Sequence, residues 1–414
     1  MFRQFTISMT AGVCMALASV AVAEIPDVAD PALSDWISEV ILQNPKMQAA
    51  QAAVDAASGR LRAADQPLFN PELEFEYENS EIDTTTGGLS QTIDWADKRG
   101  ARTAVANFEQ AAADAELQLI RQALATGLLQ ALADWHTASA VNRVSEQQTT
   151  LMTRFARLAE RRRKAGDLNQ VELDLAHLVA AEAAFEQAKA SENLIRAHQA
   201  VTALTGSDGP GWPPFTGQLP DVDPQHVDVD RLLNDLPLIH AGLAQVSAAR
   251  AAVELSVREK KPDPTFGFRV GKEDSDTLTG LTISVPLFVR NTFSAEVDVA
   301  NASLIQSERE VINLRQQSRA NLIATSRIYQ TSRLAWKTWQ ASGAPRLSQR
   351  TGLLDRLWQA GELGTTDYLV QLKQALDTEV SAIEQHGRMW QAWADWLAAS
   401  GQVDRWLKLA GDKQ

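Results

Sequence analysis

The sequence holds a single cysteine among its 414 residues, Cys14. It lies in an N-terminal stretch that the mature chain is expected to lose. Disulfides, thiolate metal sites and a cysteine nucleophile are therefore excluded downstream. Long apolar runs are equally scarce. Beyond residues 9–22, nothing approaches the roughly 18 residues that mark a membrane helix. A polytopic helical transporter is excluded, but a β-barrel is not, because its strands are short and alternate. Positive charge is in deficit, with 39 Lys and Arg against 52 Asp and Glu and a net charge of −13. Nucleic acid, whose phosphates need a basic surface, is excluded as a partner. A water-lined object that favours cations fits the balance. The six histidines, at 136, 177, 198, 226, 240 and 386, form no HExxH or other ligand spacing. No nucleophile elbow, P-loop or dinucleotide fingerprint occurs either. No catalytic residue, metal site or cofactor is expected, and the chain is read as no enzyme.

What is present begins with an export signal. Arg3, an apolar stretch and the small residues of Ala21-Val22-Ala23 make residues 1–23 a secretory signal. Lipidation at Cys14 is the alternative, disfavoured by the poor lipobox Ala11-Gly12-Val13.

The rest of the chain is written twice. Asn44-Pro45 opens an Ala-rich helical run, and Leu236-Pro237 opens another. The runs end at Asn70-Pro71 and Asp263-Pro264, since proline lacks a donor and restricts its predecessor. Alternation follows each. Leu73, Phe75 and Tyr77 fall on one side of residues 72–78, with Glu72, Glu74, Glu76 and Glu78 on the other. Phe266, Phe268 and Val270 alternate in the second copy. Polar stretches at 83–88 and 272–276 read as turns, and second strands are expected at 89–95 and 281–287. Long helical runs are expected over 98–164 and 292–359, the latter interrupted at Pro345. Breaks at 165–168 and 360–363 lead into returning helices over 170–204 and 366–399. The expected organisation is a signal at 1–23, repeats at 24–205 and 229–400, a Pro/Gly-rich linker at 206–228 and a tail at 401–414.

A helical run of about 65 residues extends roughly 100 Å, more than a globular domain needs. Four strands cannot close a barrel, and an open edge is not tolerated in lipid. Three copies would supply twelve strands, enough to enclose water. The expected fold is therefore mainly α with two β-hairpins, a duplicated helix–hairpin–long helix–helix plan. As a homotrimer it would form an α-barrel tunnel continuing into a 12-stranded β-barrel.

The duplicated plan, the Asn44-Pro45 opening, the passage from Gln91 to Arg102 and the paired turns at Gly166 and Gly361 resemble the TolC-like outer-membrane efflux family. Asp97-Lys98-Arg99-Gly100 is most similar to its heavy-metal branch, the outer-membrane component of cobalt–zinc–cadmium type systems. That branch often has two glycines where Ala96 and Asp97 stand.

The resemblance implies a passive exit duct in the cell outer membrane, its helical tunnel in the periplasm. The implied partners are outer-membrane lipid, a periplasmic adaptor and an inner-membrane transporter of the resistance-nodulation-division type. Gly166, Asp167, Leu168, Gly361, Glu362 and Leu363 would be adaptor-contact tips. Asp367, with Glu172 as its counterpart, would gate the tunnel; Val370 stands where some relatives carry a second acid. Leu73, Phe75, Tyr77, Trp95, Phe266, Phe268 and Val270 would face the membrane. The cluster Arg161-Arg162-Arg163-Lys164 either latches a closed state or complements a helix C-terminus. The exported substrate stays open, with drugs or type I protein secretion as alternatives to metal cations. A periplasmic coiled-coil adaptor or soluble scaffold is the alternative of another class.

Overall fold

The computed structural model describes residues 28–409, apart from 80, 82, 210, 216–218 and 224–226. The expected signal, Cys14 and His226 lie outside the described residues.

Helix α1 (Pro31–Gln43) stops at Asn44, which is extended and starts α2 (Pro45–Ala64). The Asn44 side chain accepts from the Lys46 amide at 2.9 Å and donates to the Leu204 carbonyl at 2.8 Å. Pro45, at the first helical position, needs no amide hydrogen there. Strands β1 (Glu72–Glu78) and β2 (Thr84–Thr92) follow, then α3 (Lys98–Ala165) and α4 (Gln170–Thr205). The second copy holds α5 (Val229–Asn234), α6 (Pro237–Glu259), β3 (Thr265–Glu273) and β4 (Asp276–Ser284). It continues with α7 (Ser294–Thr338), a π turn (Trp339–Gly343), α8 (Ala344–Gln359), α9 (Thr365–Ser400) and α10 (Val403–Trp406). The mainly helical, duplicated plan with two hairpins is the one expected.

Its boundaries differ in several places. Helices α2 and α6 stop at Ala64 and Glu259, before Asn70-Pro71 and Asp263-Pro264. Thr84–Gly88 is strand where a turn was expected. The second hairpin likewise turns on Asp274 and Ser275 alone, with Asp274 at φ 53°. Strands β2 and β4 end before Trp95 and Leu287. The second long helix is broken by the π turn. Pro345 cannot donate to residue 341, and its ring would crowd that carbonyl; one extra residue in the preceding turn relieves both.

The four strands form one antiparallel sheet in sequence order, with β2 joined to β3 across the repeat. On the other side of the sheet's base, α3 is the central helix. It packs on α2 and α6 toward the sheet and on α4 and α9 away from it, with α7 and α8 beyond α6 and α9. The helices thus form a wall that ends in α2 and α4 on one edge and in α7 and α8 on the other. A single layer leaves much surface bare. Large side chains such as Leu73, Phe75, Phe185 and Leu334 stand exposed on it.

A globular core sits midway along α3. Trp390, Trp393 and Trp396 from α9, spaced by three, pack there with Leu128 and Leu132 of α3. Trp393 stacks on Trp396 at 5.2 Å and meets Tyr329 and Trp406 at 5.0 and 5.6 Å. The 206–228 connector takes part through buried Trp212 and Leu219. Its Pro220 carbonyl accepts from the Tyr329 hydroxyl at 2.5 Å. Burial pushes the Tyr329 phenol up. Residues 403–407 close the same core with Val403, Trp406 and Leu407, tied by Arg121 to Asp404 at 2.5 Å. Trp393→Ala is expected to lower stability by about 3–5 kcal/mol through the cavity it leaves. Circular dichroism melting would show this as a clear fall in Tm.

Candidate functional site

Three stations along the chain carry the side chains expected to function. The first is the sheet. Register places Leu73 opposite Leu89, Leu89 opposite Phe268, and Phe268 opposite Leu281, so one apolar row crosses all four strands. Because side chains alternate, Phe75, Tyr77, Phe266, Val270 and Ile283 share that face. All of these are exposed, Leu73 and Leu281 at 85%. Trp95 is exposed too, beyond the end of β2. The opposite face carries Glu72, Glu74, Glu76 and Glu78, with Ser90 donating to Glu74 at 3.4 Å. It is also built close. A Cβ on Gly271 would stand 2.2 Å from the Thr85 carbonyl, so glycine permits that approach of β3 to β2.

The second station joins sheet to helices, and it is the Asp97-Lys98-Arg99-Gly100 passage. Asp97 caps α3 from a left-handed conformation, φ 55°. Asp94 accepts from the Lys98 and Arg99 amides, both at 2.8 Å. Lys98 reaches across to Asp263 at 2.8 Å and to the Lys261 carbonyl at 2.7 Å. Arg258 binds Asp97 at 2.5 Å, and the Glu254 and Asp97 carboxylates hold its guanidinium above its ordinary range. A Cβ on Gly100 would lie 2.5 Å from the Asp97 carboxylate, so the glycine makes room for the cap. The second copy repeats the left-handed start at Phe293, φ 52°.

The third station is the far end of the helices. Gly166 and Gly361 turn the chain at φ 89° and 77°, left-handed values that favour glycine. Gly166, Asp167, Gly361 and Glu362 are exposed, and Leu363 is half-buried. Leu168 is buried, at 6% exposure, with Phe155, Leu354, Tyr368 and Leu369. It holds the turn from inside. Glu172 is occupied in a capping box: its carboxylate accepts from the Asn169 amide at 3.1 Å, and the Asn169 side chain accepts from the Glu172 amide at 2.9 Å. Asp367, its counterpart, is exposed in the first turn of α9. The basic cluster divides. Arg162 lies 5.8 Å from the Trp358 ring, and Arg163 donates to the Leu168 carbonyl at 3.3 Å. Lys373 of α9 bridges Asp377 at 3.1 Å and Glu182 of α4 at 3.5 Å, and these carboxylates, Asp377 first, raise its pKa.

One feature escaped the sequence reading. Val171, Leu178 and Phe185 recur at sevens along the outer side of α4, and all are exposed, Phe185 at 75%. The heptad spacing itself was the available signal. Among the described residues no helix is long and apolar enough to cross a membrane.

The comparisons agree with this architecture. Residues 36–207 match the family described as outer membrane efflux protein. The cobalt-zinc-cadmium resistance protein CzcC of Cupriavidus metallidurans is 25% identical over 84% of this chain and 85% of its own length. The nickel-cobalt-cadmium resistance protein NccC of Alcaligenes xylosoxydans xylosoxydans is 23% identical over 71% and 70%. In structure, the CmeC outer membrane channel of Campylobacter jejuni superposes with a TM-score of 0.75 at 13% identity, over 96% of this chain and 94% of that one. The resemblance to TolC-like efflux proteins and to their heavy-metal branch is borne out by these matches.

Proposed function

We propose that this outer-membrane efflux protein, a relative of heavy-metal resistance channels, closes as a homotrimer into a passive exit duct for divalent metal cations. The observation that carries the reading is the apolar sheet face that none of the described residues covers. Lipid is the medium that accepts such a face. Strands β1 and β4 are the sheet's open edges. Pairing β4 of one chain with β1 of the next, three times, closes twelve strands. The helical wall closes in the same sense, the α2 and α4 edge of one protomer against the α7 and α8 edge of the next. Such a head-to-tail contact makes a ring when the rotation closes.

The sheet's carboxylate face then lines the pore, and Glu72, Glu74, Glu76, Glu78 and Glu273 outnumber Arg269 on it and favour cations. Helix α3, about 100 Å long by its 68 residues, carries the tunnel through the periplasm. At its far end the turns at 166–168 and 361–363 meet a periplasmic adaptor, with an inner-membrane pump supplying energy. Three Asp367 carboxylates ring the aperture, and the tip helices shift between closed and open packings. Glu172, occupied in its cap, contributes through the fold of the tip.

Asp367→Ala is expected to enlarge single-channel conductance several-fold in planar bilayers while leaving trimer mass unchanged. An unchanged conductance would move the gate elsewhere. The substrate class is tested in cells lacking this chain. Cobalt, zinc and cadmium should accumulate, and the intact chain should restore export. Normal metal levels with sensitivity to organic drugs would replace the metal reading with a drug duct.

A further inference from the structure

A cavity lies beside the break between α7 and α8. Its volume is about 640 Å³, in the range of small-molecule sites. Its walls come from α3, the connector, the end of α7, the π turn, α8 and α9.

Four aromatic side chains and two histidines stand in the lining, and contacts fix several of their rings. Pro345 imposes the π turn, and the turn lays the Trp339 ring on Gly343, where a Cβ would stand 2.1 Å from a ring atom. Phe215 of the connector stacks on Trp390 at 4.2 Å and 9°. Trp336 packs on His386 at 4.5 Å. The Trp390 indole donates to His386 Nε2 at 3.3 Å, and burial holds the His386 imidazole below its ordinary value, so that nitrogen accepts. The wall thus holds the rings of Phe215, Trp336, Trp339 and Trp390 and no Lys or Arg. Apart from His136 and His386, Glu379 is its only ionisable residue, and it has no ion pair among the described residues.

Ring faces carry negative potential and attract organic cations. A single carboxylate adds to that field. A bare metal ion is a poor fit, since it would need several oxygen or nitrogen ligands in place of its water. We propose that this cavity binds a small organic cation, a quaternary or protonated amine, with its charge toward Glu379 and its carbon body against Trp336 and Trp339. The ligand would rest on the one place where the second long helix is broken.

The test uses the full chain in detergent, titrated calorimetrically with choline and with its uncharged isostere 3,3-dimethylbutan-1-ol. Choline should bind at one site per chain, and the isostere about tenfold more weakly. Glu379→Gln and Trp339→Ala should each weaken choline about tenfold, while Trp95→Ala, far away beside the sheet, should change nothing. Choline should also slow amide exchange across residues 336–348. Glu379 sits on an exposed helix face, so its variant keeps the fold if Trp339→Ala does not. No heat with choline, equal binding of the isostere, or full affinity in Glu379→Gln would each overturn the proposal.

Discussion

Phe185→Asp, combined with Leu178→Asp, is expected to leave the protein as monomers that open no pore. Both side chains stand on the exposed stripe of α4, the outermost helix of its edge. In the ring they would be buried against α8 of the next protomer, where Leu353 is exposed in the single chain. Burying one such large side chain is worth about 1.5–3 kcal/mol. Replacing it with a carboxylate also forces a charge out of water, which costs several kcal/mol more when unpaired. The loss is repeated at three interfaces. Neither side chain belongs to the buried clusters within the chain. The helical content of the monomer should therefore stay near wild type, measured by circular dichroism alongside native mass spectrometry. A stable trimer carrying both aspartates would show that the α4 edge faces solvent, and the ring would need another arrangement.

The second large effect concerns the sheet. Phe268→Arg should prevent insertion into the outer membrane, while Glu76→Arg should insert and reduce the preference for cations. Phe268 lies in the middle of the apolar row, between Leu89 and Leu281. An arginine on the lipid face near the bilayer centre costs about 2–4 kcal/mol per copy, and a trimer carries three. Glu76 is on the other face of the same sheet, where an arginine meets water. Fractionation reads the first effect, and reversal potentials under a salt gradient read the second. If Phe268→Arg inserted as well as Glu76→Arg, the apolar face would not be the lipid face.

Much of this was legible in the residues. Alternation from Glu72 to Glu78 gave both faces of β1, whereas the proline pairs Asn70-Pro71 and Asp263-Pro264 overran the helix ends at Ala64 and Glu259. Gly166 and Gly361 marked the tip turns because a left-handed reversal favours glycine. Pro345 marked a break in the second long helix, although nothing in the sequence said that the break would be a π turn. What was misread was polar. Thr84, Thr85 and Thr86 beside Gly87 and Gly88 look like a turn, yet β3 pairs with all of them. A strand that faces water on one side and is short of bulk on the other offers no apolar alternation to count. Helix α1 was there to be found in Leu33, Ile37 and Ile41, spaced by four and all buried. The packing of the connector and of residues 403–407 into the core was not, because neither segment has a period. The tip shows a further limit. Leu168 and Glu172 sit at motif positions, but burial and a capping box engage them within the chain.

The most direct measurement is the mass and single-channel conductance of the detergent-extracted mature protein in a planar bilayer. The account predicts a trimer that opens discrete, cation-preferring pores. A water-soluble monomer that opens none would contradict it.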